Sequence, residues 1–106
     1  MEKLTYLTAE NFEQEVMQSD RPVLIDFWAD WCMPCRRMAP VFEELAGERE
    51  DVKFCKVNVD EAPQLAMQFR IDSIPAFALV KNGTFEDFTV GVMEKERLNK
   101  FLEDNL

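Results

Sequence analysis

The sequence predicts an α/β fold in which a mixed five-stranded sheet is flanked by four helices, with residues 1–106 forming a single domain. Three observations carry that expectation. A chain of 106 residues, 47% of them hydrophobic, holds enough apolar material for one core and leaves no room for a second domain. Short apolar runs alternate with amphipathic stretches along the whole length, separated by polar punctuation and without repeats or linkers. Near the C-terminus, Asn82-Gly83 stands between two strand-like runs, a strong hairpin signal.

A short opening strand is expected near residues 3–7. Thr8 then offers an N-cap for a helix that carries Phe12 and Val16 on one face and ends before Arg21-Pro22. Residues 23–28 are apolar at every position except Asp26, the pattern of a strand covered on both faces. After the Cys32–Cys35 segment, Met38, Val41, Phe42 and Leu45 follow helical spacing; Pro40 inside that pattern predicts a kink, and Gly47 lies near the expected end. Residues 52–60 alternate, with Cys55, Val57 and Val59 on one face and Phe54, Lys56 and Asn58 on the other. Ala62, Leu65, Ala66 and Phe69 support a short helix, residues 76–81 and 85–90 flank the hairpin turn, and Leu98, Phe101 and Leu102 mark the last helix. The order β-α-β-α-β-α-β-β-α calls for helices on both faces of the sheet and one antiparallel hairpin.

Composition excludes several function classes. A net charge of -9 and a pI near 4.4 repel phosphate backbones and anionic lipid surfaces, so neither nucleic acid nor membrane is an expected partner. The first residues contain no apolar leader segment, no later run is long enough to span a bilayer, and the chain reads as cytoplasmic. An odd count of three cysteines argues against a framework of structural disulfides and for a compartment that keeps thiols reduced. With no histidine, Cys-His and Ser-His nucleophile pairs cannot be assembled within the chain.

The segment Trp31-Cys32-Met33-Pro34-Cys35 lies directly after a buried strand and opens a helix. The first sulfur therefore falls near the N-cap, where unpaired N–H groups and the positive end of the helix dipole favour thiolate over thiol. Cys32 is the expected nucleophile. Pro34 costs little in a first helical turn and its fixed φ brings Cys35 round, one turn inside and more shielded. A zinc site needs four ligands, and here only one further cysteine and no histidine remain. A purely structural disulfide would close too short a loop to constrain the unfolded chain much. Reversible dithiol–disulfide chemistry is the economical reading.

Asp26 is the next most informative residue, because an unpaired buried carboxylate is costly and burial raises its pKa. Strand alternation puts it on the face of Leu24 and Trp28, where a proton acceptor for Cys35 is useful. The alternative is a carboxylate facing solvent from a bent edge strand. Cys55 reads as a small buried hydrophobe, with a regulatory thiol as the alternative.

These residues together resemble the thioredoxin family over almost the full length. The match rests on Asp26-Phe27-Trp28-Ala29-Asp30-Trp31-Cys32-Met33-Pro34-Cys35, Lys56-Val57-Asn58-Val59-Asp60, Ser73-Ile74-Pro75 and Lys81-Asn82-Gly83. The resemblance implies a thioredoxin fold and the activity of a general protein disulfide reductase, acting as a monomer, without a bound cofactor or metal. It implies that Cys32 attacks, Cys35 resolves, Asp26 accepts the proton, and Lys56 is the electrostatic partner of Asp26. It further implies a cis bond before Pro75 and a substrate-docking surface made by Trp31, Met33, Pro34, Ile74, Pro75, Gly91 and Val92. Disulfide-containing proteins would be the substrates and a thioredoxin reductase drawing on NADPH the source of electrons. Met33 departs from the glycine usual in the family, and Glu94 stands where a hydroxyl N-cap would open the last helix. The competing functions are a disulfide carrier with a shifted potential and a redox-independent binding subunit.

Overall fold

The computed structural model describes residues 4–106. Its strands are β1 (Leu4–Tyr6), β2 (Val23–Trp28), β3 (Lys53–Asn58), β4 (Ala76–Lys81) and β5 (Thr84–Val90); its α-helices are α1 (Met33–Glu48), α2 (Pro63–Gln68) and α3 (Lys95–Asn105). The sheet order is β1-β3-β2-β4-β5, with β1, β3 and β2 parallel and β4 and β5 antiparallel to their neighbours. β2, apolar except at Asp26, is thereby the central strand.

Alternation along β2 divides the core. Val23, Ile25 and Phe27, with Cys55, Val57, Ala76, Ala78 and Val80, pack beneath Phe12 and Val16 of the N-terminal helical segment and Leu65 of α2. Leu24, Phe54, Phe77 and Leu79 face the other way, against Met38, Phe42 and Leu45 of α1 and Leu98 and Leu102 of α3. Phe42 sits between Phe54 and Phe77 at ring-centroid distances of 5.2 and 6.0 Å. Truncating a ring so enclosed typically costs about 3–5 kcal/mol.

The first helix differs from the sequence expectation. Residues Glu13–Met17 form a single π-helical segment, with the Gln18 amide bonded to the Glu13 carbonyl five residues back. Phe12 directly precedes the π segment, but Thr8 closes the start of the helical stretch as a capping box: Thr8 N–H donates to Asn11 Oδ1 at 2.8 Å, Asn11 N–H to Thr8 Oγ1 at 3.2 Å, and Phe12 N–H to the Thr8 carbonyl at 3.1 Å. That pair fixes the turn that leads into the π segment, and Phe12 and Val16 reach the core as expected. Lys3, expected in the first strand, lies outside the described residues. β3 is shorter than the expected residues 52–60 at both ends, because Val52 lies in a bend before it and Val59 and Asp60 turn away after it. α1 runs on through Pro40 to Glu48. The hairpin turn has φ values of 55° at Asn82 and 75° at Gly83, the left-handed pair that this dipeptide accommodates. No side chain caps α3 at Glu94.

Candidate active site

Cys32 follows β2 by four residues and is the N-cap of α1, in an extended conformation with φ -92° and ψ 103°. Its Sγ accepts a hydrogen bond from the Cys35 N–H at 3.2 Å. Pro34 occupies the first turn, where the helix has no partner for an N–H. Cys32 and Cys35 are joined as a disulfide, with their Cα atoms 5.3 Å apart. The expectation that Cys35 is the more shielded does not hold for the oxidised pair: the two residues are 4% and 5% exposed. Ala29 with Trp28, Val59 and Ile74 covers both as one cluster. The asymmetry lies in the helix terminus, whose first-turn amide points at Cys32 Sγ.

Asp26 is 2% exposed on the central strand, which rules out the solvent-facing alternative. The parallel register pairs it with Lys56, so the two side chains share a face. Lys56 Nζ stands 3.8 Å from Asp26 Oδ2, an ion pair too long for a direct hydrogen bond, and Asp26 Oδ1 has no hydrogen-bond partner among the described residues. Burial pushes the Asp26 carboxyl up to about 7, with the Lys56 charge pulling part of the way back. The Lys56 ammonium also lies 5.0 Å above the Trp28 ring, which gives the buried cation a second favourable contact.

Around the disulfide, Trp31, Met33 and Val92 are exposed, while Pro34, Ile74 and Gly91 are half-buried. Pro75 is buried, so it shapes this surface from beneath rather than presenting its ring. The Ile74–Pro75 bond is cis, and the Ile74 carbonyl oxygen lies 3.9 Å from Cys32 Sγ. Gly91 donates its N–H to the Pro75 carbonyl at 2.8 Å, with φ at +109°, a conformation that favours glycine. The two cysteines and Ile74 thus meet beyond the C-terminal end of β2, with Gly91 joined to them through Pro75, while Asp26 and Lys56 lie two residues inside the ends of β2 and β3.

Sequence reasoning assigned no role to Asp60. Its Oδ2 accepts a hydrogen bond from Trp31 Nε1 at 2.8 Å and anchors that exposed ring. No local signal pointed to it, since the parallel pairing of β2 and β3 that brings their C-terminal ends together is a property of the tertiary structure. Among the described residues no three His, Cys, Asp or Glu side chains converge as a metal site, and no helix is long and apolar enough to cross a membrane.

Comparison with known proteins agrees with this geometry. A sequence model of the thioredoxin family matches residues 3–104. The chain is 47% identical over 107 residues to thioredoxin 1 of Nostoc sp., covering 100% of both chains. It is 44% identical over 101 residues to the thioredoxin of Rickettsia bellii, covering 94% of this chain and 96% of the relative. The thioredoxin of Pseudomonas aeruginosa is 39% identical over 106 residues, covering 99% and 98%. Because the alignment runs the length of the chain and the fold places a reversible dithiol at its helix terminus, the chain belongs to the thioredoxin family, and it is a protein disulfide reductase.

Proposed function

We propose that the dithiol works with divided roles, Cys32 attacking and Cys35 resolving. The observation that carries this is the Cys35 N–H donated to Cys32 Sγ, a contact that stabilises negative charge on the first sulfur. In the reduced protein, Cys32 thiolate attacks one sulfur of a substrate disulfide, forms a Cys32–substrate bond and expels the other sulfur as thiolate. Asp26 takes the Cys35 proton, directly or through water, and the resulting thiolate attacks Cys32 Sγ. That step expels the second substrate thiolate and closes the Cys32–Cys35 disulfide, so two electrons pass to the substrate. A carboxyl that titrates near 7 is suited to such a transfer at neutral pH, and Lys56 holds its charged form.

Trp31, Met33, Pro34, Ile74, Pro75, Gly91 and Val92 form or shape the surface on which substrate backbone docks. The exposed apolar side chains of Trp31, Met33 and Val92 beside the disulfide support this role. The chain acts as one monomeric cytoplasmic unit that binds no cofactor and is recharged by a thioredoxin reductase. Its net charge of -9 disfavours self-association and anionic surfaces.

Trapping tests the division of labour. Cys32→Ser abolishes reduction of insulin disulfides and forms no adduct. Cys35→Ser accumulates substrate proteins through Cys32, visible on nonreducing gels and by mass spectrometry. Adducts on the Cys32→Ser protein but not on Cys35→Ser would reverse the assignment.

A further inference from the structure

β5 is one of the two outer strands of the sheet, and among the described residues no strand pairs with its second edge. Its register against β4 slips between Leu79 and Val80, which face Asp87 and Phe85, so Glu86 is an extra, bulged residue. The bulge changes which side chains share a face. Regular alternation would set Phe85 with Asp87; instead Phe85, Phe88 and Val90 lie across from Val80, Ala78 and Ala76, on the α2 side. The Phe85 ring packs 6.0 Å from Phe69 and 6.3 Å from Phe88. The three stripe residues are nevertheless 45%, 40% and 44% exposed. Asp87 and Thr89 point to the opposite face, across from Leu79 and Phe77.

Scattered exposed apolar residues are ordinary, but a row of them on an open edge strand invites another chain to pair there. This row ends at Val90, next to Gly91, which is bonded to Pro75, and next to exposed Val92. It is continuous with the docking surface at the disulfide.

We propose that the outer edge of residues 87–90 binds an extended segment of the substrate protein that flanks its reacting cysteine. That segment carries apolar residues on the α2 side and Lys or Arg on the other. The inference rests on the docking surface proposed above. Backbone pairing along about 13 Å of free edge supplies affinity, and alternate side chains supply selectivity. The Phe88 N–H is now satisfied by the Asp87 carboxylate at 2.8 Å. An arriving strand replaces that bond with its own carbonyl and frees Asp87 for a cation. Asp87, the bulged Glu86 and the net charge of -9 select a basic partner and repel a second copy of this chain.

The test compares peptide disulfides that share one core sequence: one with no arm, one with an alternating Leu-Lys arm, and one with an alternating Ser-Glu arm. Expected is a kcat/KM about tenfold higher for the Leu-Lys arm than for no arm, and no gain for Ser-Glu. Phe88→Thr/Val90→Thr removes the gain. Asp87→Lys, an exposed change that leaves the core intact, also lowers the ratio of Leu-Lys to Ser-Glu rates. Equal rates for the three peptides, or an undiminished gain in both variants, would overturn the proposal. So would a dimer of the wild-type chain, in sedimentation, that Phe88→Thr dissolves. Val92→Asp separates the two readings: if it slows the armless peptide while the arms have no effect, the docking surface stands and the β5 edge falls. If it slows none, the docking surface itself is wrong.

Discussion

Replacing Asp26 by Asn isolates the effect of a carboxyl held in the core. Burial raises its pKa from 3.8 to about 7, against the partial opposition of Lys56. The folded protein therefore keeps a proton that the unfolded chain has already released. Between those two values the folded state binds one more proton than the unfolded state, so stability falls as pH rises and levels off above the folded pKa. A gap of roughly three units at about 1.4 kcal/mol per unit gives a loss of about 4 kcal/mol. Asn has no such proton to lose. Urea unfolding of the oxidised proteins should show Asp26→Asn gaining on wild type as pH rises, by about 4 kcal/mol between pH near 4 and pH near 8. Any constant offset from the amide or from Lys56 cancels in that difference. The same variant should slow turnover near neutral pH by removing the proton acceptor. A stability difference that stays flat with pH, or that grows as pH falls, would refute the assignment of a neutral buried carboxyl.

Other outcomes follow from the same geometry. Cys55 is fully buried and burial pushes its thiol up to about 12, so it should resist alkylation in the native protein and react only on unfolding; fast native labelling would contradict this. Met33→Gly should move the reduction potential by on the order of 10–20 mV, the scale of glycine's added backbone freedom at a helix start, and equilibration against glutathione would read it. Equal potentials would make this position mere surface. Asp60→Ala should release the Trp31 ring and raise KM for protein substrates severalfold while kcat for a small disulfide holds, and a KM unchanged within error would remove Asp60 from the docking surface.

The local structure of this chain is written in its residue order. The apolar run of β2, the left-handed Asn82-Gly83 turn, the helical spacing of Met38, Phe42 and Leu45, and the Cys-x-x-Cys at a helix start are each decided by neighbours a few residues apart. Those short-range rules located the sheet strands, the cysteine at the helix N-cap and the buried Asp26. They reached Lys56 and the surface around Ile74 and Pro75 only through family resemblance, since no local rule says which strands lie side by side. Tertiary pairing decided the rest. The parallel register of β2 with β3 puts Lys56 beside Asp26 and Asp60 within reach of Trp31. The central place of β2 turns Asp26 from an exposed carboxylate into one that keeps its proton to about pH 7. At the N-terminal segment, the apolar periodicity placed Phe12 and Val16 but left the hydrogen-bond ladder open, because a π turn and an α turn bury almost the same face. The bulge at Glu86 shows the same limit: an extra residue in β5 exists only relative to β4. A pKa, a register and a shared face are properties of juxtaposed strands, and sequence encodes them through the whole core at once rather than at any one position.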